Sequence, residues 1–207
     1  MPRMLRPYLA LSLLSTVATS ATAAPIQYEY SGVITTADPS TGVAPGTRFT
    51  GTFAYDPGKD ENWLGYEGYQ QYHYGKTPGN PGSVADGSGL TLQIGGRTIL
   101  ADQGGLLVGV AESEYPGQWG YRDANGNPAG PYTQVSISSD GYTVGLNLSN
   151  PSRSVFGSLA PPPWLSLADF PQAQLNVTEW TDPGRKTLYT GTIDTLTAVP
   201  EPATWAA

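Results

Sequence analysis

This sequence predicts an all-β chain, an antiparallel β-sandwich of about nine strands in a jelly-roll-like arrangement with long aromatic-rich loops, on three observations. Apolar and polar residues alternate along most of the chain beyond its first two dozen residues, with no apolar stripe at helical spacing longer than a turn or two. Glycine-containing dipeptides suited to two-residue hairpins separate alternating runs. A five-residue pattern, reading aromatic, hydroxyl, glycine, small or β-branched, apolar, occurs three times.

Residues 1–23 carry Arg3 and Arg6, an apolar run from Tyr8 to Leu14 with Val17, and the small-residue site Ala21-Thr22-Ala23. That order is the order of a secretory leader. Its apolar part, about 10 residues, falls short of the roughly 20 a spanning helix needs, and cleavage is expected after Ala23, leaving an ectodomain at 24–198. Alternation then places strands at 26–36, 47–55, 90–94, 97–101, 106–111, 132–138, 142–148, 173–180 and 186–197. Gly95-Gly96 joins the third to the fourth and Asp140-Gly141 the sixth to the seventh, both tolerating the positive φ of favoured hairpin turns. Thr181-Asp182-Pro183-Gly184 supplies another turn, proline presetting one φ and glycine accepting the next.

The repeated pattern is Tyr30-Ser31-Gly32-Val33-Ile34, Phe49-Thr50-Gly51-Thr52-Phe53 and Tyr189-Thr190-Gly191-Thr192-Ile193. At a period of two, the aromatic, the glycine and the last apolar residue point to one face, the glycine leaving room for a bulky group from the opposite sheet. The first, second and last strands are therefore expected side by side. The copies are too unevenly spaced for a repeat architecture.

Composition narrows the partners. The 207 residues carry a formal net charge of −7; without the leader, eight basic residues stand against seventeen acidic ones, a net of −9. Like charge disfavours nucleic acid and anionic membrane surfaces. With 26 glycines and 19 prolines the chain borders on a disordered composition, and thirteen Tyr, five Trp and four Phe supply the apolar area that offsets chain entropy in one core. There is no cysteine, so the fold relies on that core without disulfides, and thiolate metal sites are excluded.

Nothing in the chain implies catalysis. The single histidine, His73, lies in Tyr69-Gln70-Gln71-Tyr72-His73-Tyr74-Gly75, which reads as a polar and aromatic loop, and no Gly-x-Ser-x-Gly elbow is present. Glu29, Glu61, Glu67, Glu112, Glu114 and Glu179 are numerous enough for a glycosidase pair, but spacing alone pairs none of them. Asp123, Asn125 and Asn127 place oxygen ligands at alternate positions like the start of a calcium loop, yet Pro128 stands where the sharp turn wants glycine and Gln134 where a bidentate glutamate belongs. No cofactor is expected, with calcium at that loose site as the alternative.

The candidate ligand-binding residues are aromatic. The stretch 56–87, read as a loop, holds Trp63, Tyr66, Tyr69, Tyr72 and Tyr74 among glycines, amides and charges, and a second loop at 115–121 adds Trp119 and Tyr121. Flat rings beside amides and carboxylates stack on sugar faces while bonding hydroxyls, and two such loops side by side would form a groove. The competing reading is that the rings fold back to cover the open end of the sandwich.

The stretch Val199-Pro200-Glu201-Pro202-Ala203-Thr204-Trp205-Ala206 resembles the opening of the PEP-CTERM sorting signal, by which Gram-negative bacteria hand secreted proteins to an exosortase. The family's signal continues into an apolar helix and an arginine cluster, whereas this sequence ends at Ala207. Arg48-Phe49-Thr50-Gly51-Thr52-Phe53-Ala54-Tyr55-Asp56-Pro57, following Tyr30-Ser31-Gly32, also looks like the start of many PEP-CTERM ectodomains. The resemblance implies export across the inner membrane, the secretion machinery and an exosortase as partners, a cell-surface or extracellular location, and association with exopolysaccharide and biofilm. The expected function is thus an exported surface or matrix protein that binds polysaccharide. A passive structural surface protein is the alternative and a secreted glycan-active hydrolase the third reading.

Overall fold

The computed structural model describes residues 25–58, 62–66, 69–74, 89–100, 106–113, 132–139, 144–181 and 184–199, with the backbone alone at 62–66, His73, Ser113 and Tyr132. Among these residues eleven strands follow one another: β1 (Ile26–Ala37), β2 (Arg48–Tyr55), β3 (Asn62–Tyr66), β4 (Tyr69–Tyr74), β5 (Gly89–Ile94), β6 (Arg97–Leu100), β7 (Leu106–Ser113), β8 (Tyr132–Ser139), β9 (Val144–Asn150), β10 (Gln172–Thr181) and β11 (Gly184–Val199). The chain is all-β, as expected, and each of the nine anticipated strands is present. Gly95 and Gly96, at φ of 57° and 77°, make the turn between β5 and β6. Asp140-Gly141 and Asp182-Pro183 lie outside the described residues.

Two departures from expectation matter. The stretch read as a loop from residue 56 onward contains β3 and β4, which pair with each other, and β4 pairs with β7 from Tyr69↔Ala111 to Tyr74↔Leu106. Polar, glycine-rich segments give a weak alternating signal, so the pairing partner decided the conformation. Nor do the strands divide into two separate sheets: the ladders run unbroken in the order β3-β4-β7-β8-β9-β10-β11-β1-β2-β5-β6. This single antiparallel sheet curls on itself. Strands β4 and β2 stand seven places apart in that order, yet the rings of Tyr74 and Tyr55 lie 5.8 Å apart. Register shifts in the β1–β11 ladder at Ser31/Gly32 and Ile34/Thr36, and in the β10–β11 ladder at Val177/Thr178, supply the extra twist that such bending needs.

Strands β2, β1 and β11 are neighbours, as the repeated pattern predicts. Register sets Tyr30 opposite Gly51, Gly32 opposite Phe49 and Ile34 opposite Gly191. The group filling the space beside each glycine therefore comes from another strand of the same sheet, not from an opposite sheet as expected. A Cβ at Gly51 would lie 2.4 Å from the Tyr30 ring, and at Gly32 and Gly191 it would lie 2.5 and 2.7 Å from the ring of Phe49, which reaches across β1. Phe49, Tyr30, Phe53, Tyr28 and Tyr55 continue as a run of ring contacts 4.9–6.3 Å between centroids. Leu92, Val108, Val135, Leu146 and Leu175 join them in one core.

The connection between β9 and β10 closes one end of this core. Leu165 and Phe170 are buried, as are Pro161 and Pro162. Hydroxyls on three strands hold its backbone: Tyr55 donates to the Pro162 carbonyl (2.7 Å), Tyr72 to that of Leu159 (3.0 Å), and Tyr28 accepts from the Leu165 N–H (3.0 Å). The Glu112 carboxylate accepts from the N–H groups of Val155 (3.0 Å) and Phe156 (2.6 Å) and from the Thr133 hydroxyl (2.9 Å). The open end is thus covered by this connection. Near the same end Gln27 pairs with Val199, so the start of β1 and the end of β11 lie side by side.

Gly32→Ala would set a methyl 2.0 Å from the Thr192 carbonyl oxygen, an atom of the ladder that cannot move aside. Urea denaturation is expected to show a loss of about 2–4 kcal/mol for Gly32→Ala, against no more than about 0.5 kcal/mol for the exposed control Thr187→Ala.

Candidate functional site

Alternation that buries one face of β11, β1, β2 and β5 turns a second set of side chains outward. Cross-strand register aligns these in two rows. Thr197, Glu29, Thr52 and Thr91 form one row and Thr195, Ser31, Thr50 and Gln93 the other, each residue opposite the next. Together with Tyr30 and the backbone at Gly51 they line a concavity of about 400 Å³. The Tyr30 ring packs against Gly51 beneath this lining, and its hydroxyl is tied to the Thr91 carbonyl at 2.6 Å.

The lining is hydroxyl-rich and internally bonded. The Thr52 and Thr91 hydroxyls are 2.8 Å apart, and the Thr52 N–H donates to Thr91 Oγ1 at 3.0 Å. Ser31 Oγ lies 2.8 Å from Thr195 Oγ1 and donates to Asp194 Oδ1 at 3.0 Å. Arg48 pairs with Asp194 at 3.2 Å beside the second row. Both side chains are largely solvated, so this ion pair adds little stability, but it neutralises charge at the rim. A hydroxyl donates and accepts at once, and the Gln93 amide does both through separate atoms, so the surface matches a ligand that is itself covered in hydroxyls. Glu29 is the one carboxylate in the lining. Among the described residues no three His, Cys, Asp or Glu side chains gather as metal ligands.

The aromatic candidates divide. Tyr72 and Tyr74, expected in a ligand-binding loop, are strand residues turned into the core with 2% and 1% of their surface exposed, and neither is presented to a ligand. Their spacing of two is the reason: Tyr72 and Tyr74 share the face of β4 opposite Val108 and Leu106, the inward face. His73 belongs to the same strand and not to a loop. Tyr69 is half-buried on the other face, and Trp63 and Tyr66 belong to the edge strand β3. Trp119 and Tyr121, the calcium candidates Asp123, Asn125 and Asn127, the expected cleavage-site residues Ala21 and Ala23, and Pro200, Glu201, Pro202, Ala203, Thr204 and Trp205 lie outside the described residues, while Val199 ends β11.

The residues around the concavity were missed as a site because none has an unusual chemistry alone. The signal that could have found them is the outward half of the alternation: Thr50 and Thr52, Thr91 and Gln93, Thr195 and Thr197 occur two apart on strands already predicted. The family models, the curated proteins and the solved structures contain no significant match to this chain.

Burial pushes the Tyr30 phenol well above its ordinary value near 10. Burial likewise raises Tyr28, partly offset by its bonds to Leu165 and Tyr55, and raises Tyr55, with Tyr28 and Tyr74 nearby adding to the effect. A phenol whose folded pKa is raised contributes stability that is complete below the unfolded value and is lost as pH climbs past it. Far-ultraviolet circular dichroism and tyrosinate absorbance should therefore report one coincident unfolding transition above about pH 10. Tyr30→Phe should make the pH dependence there shallower while lowering stability at neutral pH by about 1 kcal/mol, the worth of its bond to Thr91.

Proposed function

We propose that this is an exported cell-surface or matrix protein that binds polysaccharide on the outer face of its sheet, with no catalysis required. The observation that carries the reading is the pair of hydroxyl and amide rows across β11, β1, β2 and β5, which offers paired donors and acceptors on a concave surface. The leader at 1–23 and the Pro-Glu-Pro tail from Val199 support export and a surface location. Secretion machinery and an exosortase are the partners that the tail implies. Glycan contact by the rings of Trp63, Tyr66, Trp119 and Tyr121 remains part of the proposal.

A second reading, a passive structural surface protein, draws support from Tyr72 and Tyr74, whose rings serve packing. Calorimetric titration of the mature protein with exopolysaccharide from its own producing strain separates the two. Saturable heat is expected, weakened about 2–10-fold by Thr50→Val and again by Thr197→Val, each removing a hydroxyl worth roughly 0.5–1.5 kcal/mol, with little change in melting temperature. Absence of heat would leave the structural reading. Reducing ends released by the wild type and lost in Glu29→Gln would instead identify a hydrolase.

A further inference from the structure

The outer face does not end at the concavity. Cross-strand register extends it over β10, β9 and β8, where Thr192 faces Gln174, Gln174 faces Asn147, and Asn147 faces Ser136. A parallel row sets Gln172 opposite Ser149 and Ser149 opposite Gln134. The rows are tied together, with Ser149 Oγ donating to Gln172 Oε1 at 3.2 Å and Gln134 Nε2 to Asn147 Oδ1 at 3.5 Å. Every one of these positions is an amide or a hydroxyl, and none is charged.

That neutrality needs a reason. A solvated sheet face is commonly kept soluble by lysine and glutamate, and among the described residues none of the acidic side chains falls in these two rows. The row of uncharged groups also leads to an aromatic ring. At Gly109 on β7, opposite Ser136, an added Cβ would lie 2.7 Å from the Tyr69 hydroxyl and 2.5 Å from Ser136 Oγ. The missing side chain at Gly109 lets a half-buried ring and a hydroxyl converge where the track ends.

We propose that the occupant of this face is an uncharged polysaccharide chain lying across the strands, from the concavity on β2, β1 and β11 over β10, β9 and β8 toward Tyr69. The proposal rests on the polysaccharide-binding reading and names the polymer's charge class, its direction and its length. Strands are spaced about 4.8 Å apart, close to the length of one pyranose unit, so successive sugars meet successive strands and find a donor and an acceptor at each. An anionic polymer would meet no cation in the rows over β10, β9 and β8, the Arg48 guanidinium at the concavity end is already paired with Asp194, and the chain carries net negative charge. Tyr69 offers the terminal sugar a ring edge.

The test is calorimetric titration of the mature protein with two series of oligosaccharides, two to eight units long. One is a neutral panel of β-1,4-, β-1,3- and α-1,4-glucans and mannans, and the other is oligogalacturonate. Affinity is expected to rise with length in a neutral series. Octamer binding should fall about tenfold in Asn147→Asp/Gln174→Glu, with the dimer and the melting temperature unchanged, and oligogalacturonate should bind at least about tenfold more weakly. Tyr69→Ala should also weaken the octamer and spare the dimer. Neutral binding that is flat with length and indifferent to N147D/Q174E would overturn the track while leaving a short-saccharide site in the concavity. Tighter binding of oligogalacturonate would overturn the charge assignment. No heat from any saccharide would overturn both the track and the reading on which it rests.

Discussion

Aromatic rings seated beside glycines of neighbouring strands are the constraint on which the rest of this structure depends. Tyr30 against Gly51 and Phe49 against Gly32 and Gly191 lock β2, β1 and β11 into a single register, because a one-residue slip would drive each ring into a side chain. The lock joins segments from opposite ends of the chain, Ser31 and Thr195 being 164 residues apart. Contacts of such separation carry a large closure entropy, which burial of clustered rings can offset. Outward positions inherit the same register, so the hydroxyl rows of the concavity follow from the aromatic contacts beneath them.

Tyrosine has a second role that phenylalanine could not fill. Tyr28, Tyr55 and Tyr72 point apolar rings into the core while their hydroxyls bond backbone groups of the connection between β9 and β10. A long connection crossing the end of a core carries many polar groups that would be expensive to bury without partners. Phenols at the core's edge satisfy several of them, and Glu112 accepts from two N–H groups near the start of that connection and from the Thr133 hydroxyl of β8. The fold compensates in this way for having no disulfides.

The two faces of the sheet divide the chemistry cleanly. Inward positions are aromatic and aliphatic, whereas outward positions on β8 to β11, β1, β2 and β5 are mainly hydroxyls and amides, charge being confined largely to Glu29, the Arg48–Asp194 pair and the strand ends. A surface of that kind binds water and hydroxylated ligands through many weak bonds. Affinity on such a face comes from the number of aligned groups, which makes register, rather than any single residue, the property that matters.

Much of the fold was legible in the sequence. Nine of the eleven strands, the glycine hairpin at 95–96 and the adjacency of β2, β1 and β11 follow from period and composition, since these depend on which residues suit a pleated surface. β3 and β4 were hidden because a run such as Tyr-Gln-Gln-Tyr-His-Tyr becomes a strand only when β7 lies beside it. Continuity of the sheet was equally hidden, because bulges at Ser31/Gly32 and Val177/Thr178 arise from how neighbours pack. The site was legible only in part. Tyrosines scattered through a polar stretch looked alike on the page, and pairing alone turned Tyr72 and Tyr74 inward and Tyr69 outward. By itself the sequence determined an all-β chain with its alternating faces, since side-chain direction in a strand is a local property. Only the tertiary structure decided which outward residues from distant strands share one concave surface, because that depends on cross-strand register set by contacts more than a hundred residues apart.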